Sequence, residues 1–165
     1  MCKPQFTNYG LIIKQQLLNE MHCATTAHKR LNRRIKHMAD NLPVDVTTIP
    51  QDLNNSEFSK WFFGRSVQFK KFPELKKYVL NIELFYNELQ PIYQEIHSTY
   101  TKEIKSSYLK TLLGLNPSVI TKKDQQKIQQ LFSRFEQLSD SIITALNTLE
   151  GHIAIHPNEK LLVFI

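Results

Sequence analysis

From residue 17 to residue 38 the side chains Leu17, Met21, Ala24, His28, Leu31, Ile35 and Met38 recur at alternating spacings of four and three. Side chains so spaced share one face of a helix. The pattern predicts a long amphipathic helix over about residues 5–41, stopped by Asn41 and Pro43. The same alternation runs through Leu75, Tyr78, Ile82, Phe85, Leu89, Ile92 and Ile96, and again through Ile128, Leu131, Phe135, Leu138, Ile142, Ala145 and Leu149. These seams predict a helix over about 72–113 and another over about 119–150, the latter ended by Gly151. Pro91 removes a backbone donor inside the middle seam, yet the phase is unbroken across it, whereas a turn would reset it. A kinked helix is the expectation, and a break into two helices at Gln90 is the lesser alternative.

Residues 42–55 hold Pro43 and Pro50 and no helical period, so they read as a loop. Asn55 or Ser56 then opens a short helix that carries Phe58, Trp61, Phe62 and Phe63 before Gly64. Aromatics that dense must leave water, so this piece is expected to plug the bundle, with Trp61 as its buried anchor. Gly114 to Ser118 reads as the turn into the last helix, capped by Asn116 or Ser118. The tail after Gly151 has β-branched residues around Pro157-Asn158 and fits a hairpin, an extended strap or an exposed docking peptide. The predicted fold is all-α, an antiparallel four-helix-type bundle of long helices in one domain, residues 1–150, with a C-terminal tail over 151–165.

Composition narrows the functional classes. A chain of 165 residues that is 41% hydrophobic and 22% charged has the makings of one folded core. Its four glycines are too few for the turns of a β-sandwich or for a glycine-rich phosphate loop. The longest apolar run, Leu161 to Ile165, is far short of the roughly 18 residues of a membrane span. Met1-Cys2-Lys3-Pro4 leads into polar residues without an apolar signal core, which points to the cytoplasm. Cys2 and Cys23 are the only cysteines, and with one at a terminus they exclude a disulfide framework. The net charge of +6 favours anionic partners weakly and names none.

His28 places an ionisable ring on the seam of the first helix. It reads either as a core histidine satisfied by one hydrogen bond or as a metal ligand needing partners on facing helices. His28-Lys29-Arg30-Leu31 after Ala27, then Ser56-Glu57-Phe58-Ser59-Lys60-Trp61-Phe62-Phe63-Gly64 and a Phe/Pro-led helix, resembles the chemoreceptor zinc-binding (CZB) domain over about residues 20–95. That family is a helical bundle of bacterial chemoreceptors and diguanylate cyclases whose zinc is held by three histidines and one cysteine. The resemblance implies ligand positions at His28, Ser56, Ile82 and Tyr86, and only the first holds a metal-binding residue. Serine, isoleucine and tyrosine do not replace thiolate and imidazole on zinc. The resemblance therefore implies a degenerate member with no cofactor, in which Ile82 and Tyr86 fill the metal's place. His28 would then be neutral, with Ser56 or Tyr86 as its hydrogen-bond partner.

The remaining polar groupings point elsewhere. Lys29, Arg30, Arg33, Arg34 and Lys36 form a basic stripe off the seam, and Lys70, Lys71, Lys76 and Lys77 a second cluster. Such runs are ordinarily solvated faces; brought together, they would suit an acidic partner, a phosphate ligand or nucleic acid. His152 and His156 have His-x-x-x-His spacing, but Gly151 and Pro157 flank them and argue against a helix. Arg30 and His37 have an Arg-x6-His spacing that resembles helical HEPN ribonucleases, and no catalytic triad or paired carboxylate accompanies it. The expectation is a non-catalytic regulatory or sensory interaction module of bacterial signalling. It would act in trans on a chemoreceptor or diguanylate cyclase, with a homodimer as its association state and Phe58, Trp61 and Phe62 as packing anchors. A basic helical nucleic-acid-binding protein is the alternative, and a small helical ribonuclease a distant third.

Overall fold

The computed structural model describes residues 5–113, 120–158, 160 and 161. Its four α-helices are α1 (Gln5–Ala39), α2 (Glu57–Phe69), α3 (Pro73–Leu112) and α4 (Lys122–Ile155), and no strand occurs among the described residues. Two short 3-10 turns, Val46–Thr48 and Leu53–Asn55, interrupt the connection from α1 to α2. The all-α bundle expected from the seams is what the chain forms.

α4 is the central antiparallel partner. Glu88–Arg134 and Glu95–Lys127 ion pairs run along α3 and α4, and Lys14 Nζ and Gln125 Nε2 donate to the carbonyls of Ala154 and Ala39 between α1 and α4. The fourth edge of the bundle is composite. Below α1 the chain descends along α3, where Tyr100, Tyr93 and Gln94 donate to the carbonyls of Leu42, Pro50 and Gln51. It then enters α2, which packs between α1 and α3.

Local chemistry explains three of the helix ends. Asn41 adopts φ 55°, the left-handed conformation that asparagine tolerates, while the Asn41 and Leu42 amides donate to the carbonyls of Met38 and His37. That pairing is a Schellman motif, and it stops α1 where the sequence expects. Ser56 caps α2 by accepting from the Ser59 amide. Thr121 caps α4 by accepting from the Asp124 amide, so that helix begins later than expected; Asn116 and Ser118, the expected caps, lie outside the described residues, as does the Gly114–Ser118 turn.

Two glycines do not stop helices. α2 continues past Gly64 to Phe69, and α4 past Gly151 to Ile155, so the tail expected from residue 151 begins inside a helix. The reason is burial: Ser66 and Phe69 are buried beyond the first glycine, Ile153 and His156 beyond the second. Those contacts outweigh the roughly 1 kcal/mol that a helical glycine costs. Past Pro157 no hairpin forms among the described residues; the chain lies over Gly10, whose place no Cβ could take without striking Asn158, and Leu161 is buried. α3 runs continuously through Pro91. Pro91 and Asn87 are both exposed, so the carbonyl that loses its helical donor faces water.

The core holds every seam residue expected on α1, from Leu17 to Met38. On α3 and α4 it is broader. Val79, Tyr86, Tyr93 and Tyr100 are buried on α3, and Ser139, Leu146 and Ile153 on α4, whereas Tyr78, Phe85, Ile92, Leu131 and Ala145 are half-buried.

Candidate functional site

Phe58 and Phe62 are fully buried and stack at 5.6 Å, as the aromatic plug requires. Trp61 is half-buried, packing on Phe58 and Phe69 at 6.5 and 6.2 Å, and Phe63 is 40% exposed. The expectation of a buried Trp61 anchor is thus corrected. Position 61 faces α1, where its Nε1 donates to Glu20 Oε2 at 3.3 Å. Arg65, one turn on, donates from Nε and Nη2 to the same carboxylate at 3.0 and 2.9 Å. The polar tip of tryptophan draws the ring to this half-wet seam, and Phe58 and Phe62 anchor the helix instead.

His28 is 1% exposed, and burial alone pushes its pKa down to about 4, so the ring is neutral at pH 7. Its hydrogen-bond partner is on α4: Ser139 Oγ lies 2.8 Å from His28 Nε2. This corrects the expectation of Ser56 or Tyr86. Asn32 Nδ2 also donates to Ser139 Oγ, so one serine hydroxyl on α4 meets two α1 side chains. Nδ1 is buried and has no partner. Phe58 packs against both the imidazole and the Tyr86 ring, at 4.8 and 6.1 Å, while Ser56 is engaged with Ser59.

The other positions implied as ligands form a network of their own. Ser59 Oγ donates to the Leu53 carbonyl at 2.8 Å, lies 2.6 Å from Ser56 Oγ and is hydrogen-bonded to Tyr86 Oη. Burial pushes the Tyr86 phenol up to about 12, so it keeps its proton at neutral pH. Ile82 is fully buried and apolar. Ser59 is the member that sequence reasoning missed; its signal was a serine three residues after the Ser56 cap, on the buried side of the aromatic helix.

The two basic clusters do not meet: one lies at an end of the bundle and the other runs from its middle toward the far end. Lys70, Lys71, Lys76 and Lys77 surround the turn from α2 to α3, level with the end of α4, whereas the stripe from Lys29 to Lys36 lies some 15–20 residues along α1, roughly 25 Å away at 1.5 Å per residue. Lys70 is paired with Glu83 at 2.6 Å, and Lys77 lies 4.8 Å over the Tyr78 ring. On the stripe, Arg34 donates to the Thr48 carbonyl, whereas Lys29, Arg30, Arg33 and Lys36 have no partner among the described residues. Arg30 and His37 stand two turns apart, about 10 Å along the axis, with no contact between them.

His152 and His156 do lie on a helix and its cap, facing α3. Tyr78 Oη is 2.9 Å from His152 Nε2, and His156 Nε2 donates to Glu74 Oε1 at 2.7 Å. Each ring is thus spent on one partner, and no cluster of three or more His, Cys, Asp or Glu side chains fit to hold a metal occurs among the described residues. No described helix is long and apolar enough to cross a membrane.

Between α1 and the start of α2 lies a cleft of about 260 Å³. Ala27, Arg30 and Arg34 form one wall on a single face of α1, Thr47 to Pro50 another, and Asn55 to Phe58 a third; His28 lines it from the core side. Its charged lining is Arg30, Arg34 and Glu57, and Arg34 is spent on the Thr48 carbonyl. No family model, no curated protein and no solved structure matches this chain.

Proposed function

We propose that this chain is a non-catalytic, zinc-free regulatory module, a degenerate relative of the chemoreceptor zinc-binding domain that acts in the cytoplasm by binding a chemoreceptor or diguanylate cyclase in trans. The carrying observation is how the implied ligand positions are spent. His28 is tied to Ser139, Ser56 and Tyr86 are tied to Ser59, and Ile82 is buried hydrocarbon. A bundle in which the implied metal positions are satisfied by other residues or filled with hydrocarbon keeps its packing without the metal, and its surface is then the part left to act. The absence of a carboxylate pair or activated nucleophile among the groups described above supports a binding role over a catalytic one.

Two measurements test this reading. Elemental analysis of the purified chain is expected to give no stoichiometric zinc, and one tightly held zinc per chain would overturn it. Affinity isolation from the native organism with mass spectrometry is expected to recover a receptor or cyclase repeatedly. Recovery that depends on RNA would instead favour the second reading, a nucleic-acid-binding bundle, for which the unpaired Lys29, Arg30, Arg33 and Lys36 speak and a steep salt dependence is the signature.

A further inference from the structure

We infer that the projecting end of α3 is a docking site for an anionic lipid surface, into which its apolar tip inserts. This goes beyond the proposed function and does not rest on it. The Glu88–Arg134 and Glu95–Lys127 ion pairs are seven residues apart on both helices and fix their antiparallel register. By that register Lys122, the first residue of α4, is level with Tyr100, and α1 has already ended, its Ala39 carbonyl taking Gln125. α3 alone among the described helices goes on, over Thr101 to Leu112, roughly 18 Å at 1.5 Å per residue. The tip of this arm is apolar: Tyr108, Leu109, Leu112 and Leu113 lie within two turns and are 59–75% exposed. Side chains so exposed add little to the core, and a short helix with no other helix alongside is marginal in water, so the folding of this chain does not account for the tip.

Charge identifies the occupant. Lys102, Lys105, Leu109 and Leu112 follow one another at spacings of three, four and three, so one face of the arm is basic near the bundle and apolar at the tip. Lys122 and Lys123 add two more exposed cations at the start of α4, and none of the four lysines has an acidic partner among the described residues. The acids of this end stand at the base of the arm. Asp40 follows α1, Asp124 accepts from Thr121, and Glu103 is half-buried in the cleft that it lines with Leu42 and Tyr100. Two chemistries separated along the axis match the two layers of a lipid leaflet: leucines set about 5–10 Å into the headgroup–acyl boundary leave the lysines one to two turns behind them among anionic headgroups. Tyrosine, as at position 108, is a residue of that boundary. No crossing is involved, since no described helix is long and apolar enough for one. A second copy of the chain fits the tip less well, because pairing two arms sets Lys102 and Lys105 against like charge.

The test is cosedimentation of the full chain with vesicles of two parts phosphatidylcholine to one part phosphatidylglycerol, and with vesicles of phosphatidylcholine alone. Binding to the first is expected, and at least about tenfold weaker binding to the second. Leu109→Ser combined with Leu112→Ser should weaken partitioning at least about tenfold, because the insertion it removes is hydrophobic. Lys102→Gln should weaken it about fivefold, the scale of one basic residue near an anionic surface. Lys29→Gln combined with Arg33→Gln, on the stripe along α1, should change it by less than about twofold, since charges held away from the surface are screened. All these side chains are exposed, so none of the variants endangers the fold. Lipids with brominated acyl chains should quench the emission of Tyr108→Trp and leave that of Trp61 in the parent unchanged. Equal binding to both vesicles, a leucine variant that binds as well as the parent, or a stripe variant that loses as much as the leucine variant would overturn the inference. So would a chain that binds neither vesicle, and one that instead forms a dimer dissolved by Leu109→Ser would give the tip to a second copy.

Discussion

Replacing His28 by leucine is expected to remove most of the acid sensitivity of this fold. The folded ring titrates at about 4 because burial disfavours its charged form, against about 6.5 for the unfolded chain. Between those values the unfolded state binds the proton and the folded state does not, so stability is fully present above pH 6.5 and falls as pH drops toward 4. The gap is about 2.5 units, which at 1.36 kcal/mol each amounts to roughly 3 kcal/mol lost across that window. A half-buried His97, also depressed by burial, adds a smaller loss of the same sign, and it is common to parent and variant. Leucine is tolerable at 28 because Ser139 keeps Asn32 as a partner, at a cost near the ~1 kcal/mol of one neutral hydrogen bond. Urea unfolding of both proteins from pH 7.5 to 4, in phosphate-free buffer, should therefore give curves that converge or cross as pH falls. Parallel curves, or an NMR titration of the His28 ring at or above 6.5, would refute the assignment of a buried neutral imidazole.

Three further outcomes follow from packing and can be read from the same denaturation assay. Phe62→Ala should cost about 3–5 kcal/mol and Trp61→Ala clearly less, about 2, because only the first ring is fully buried; the reverse order would mean that Trp61 is the anchor after all. Ser59→Ala should destabilise by about 1–3 kcal/mol by leaving the Leu53 carbonyl and Tyr86 hydroxyl short of a partner, and Tyr86→Phe by less, so an innocuous Ser59→Ala would show that water replaces the hydroxyl. Gly151→Ala should stabilise by about 0.5–1 kcal/mol, since the residue lies inside α4, one turn before its end, with open space where a Cβ would go; a loss of stability would return Gly151 to the role of a helix stop.

Helices were legible in this sequence because the signal is local and repeated. The four-three alternation needs no neighbour to be read, and Asn41 and Ser56 carry their capping chemistry in their own side chains, so the all-α class, the α1 seam and two of the helix ends follow from the residues alone. The tertiary structure decided what depends on which helix lies opposite. A single apolar line cannot report that α3 is covered on two sides, and so Tyr86, Tyr93 and Tyr100 are buried with their hydroxyls on loop carbonyls and Ser59 while Tyr78, Phe85 and Ile92 remain half-wet. Gly151 reads as a stop because backbone entropy is a local cost, and it is overridden because burial of Ile153 is a long-range gain. His28 was recognisable as a buried ionisable ring from its place on the seam. That Ser139 would satisfy it, with Phe58 packed against both it and Tyr86, was set by the register of α4 against α1 across a sequence separation of 111 residues, which no pattern within one helix encodes.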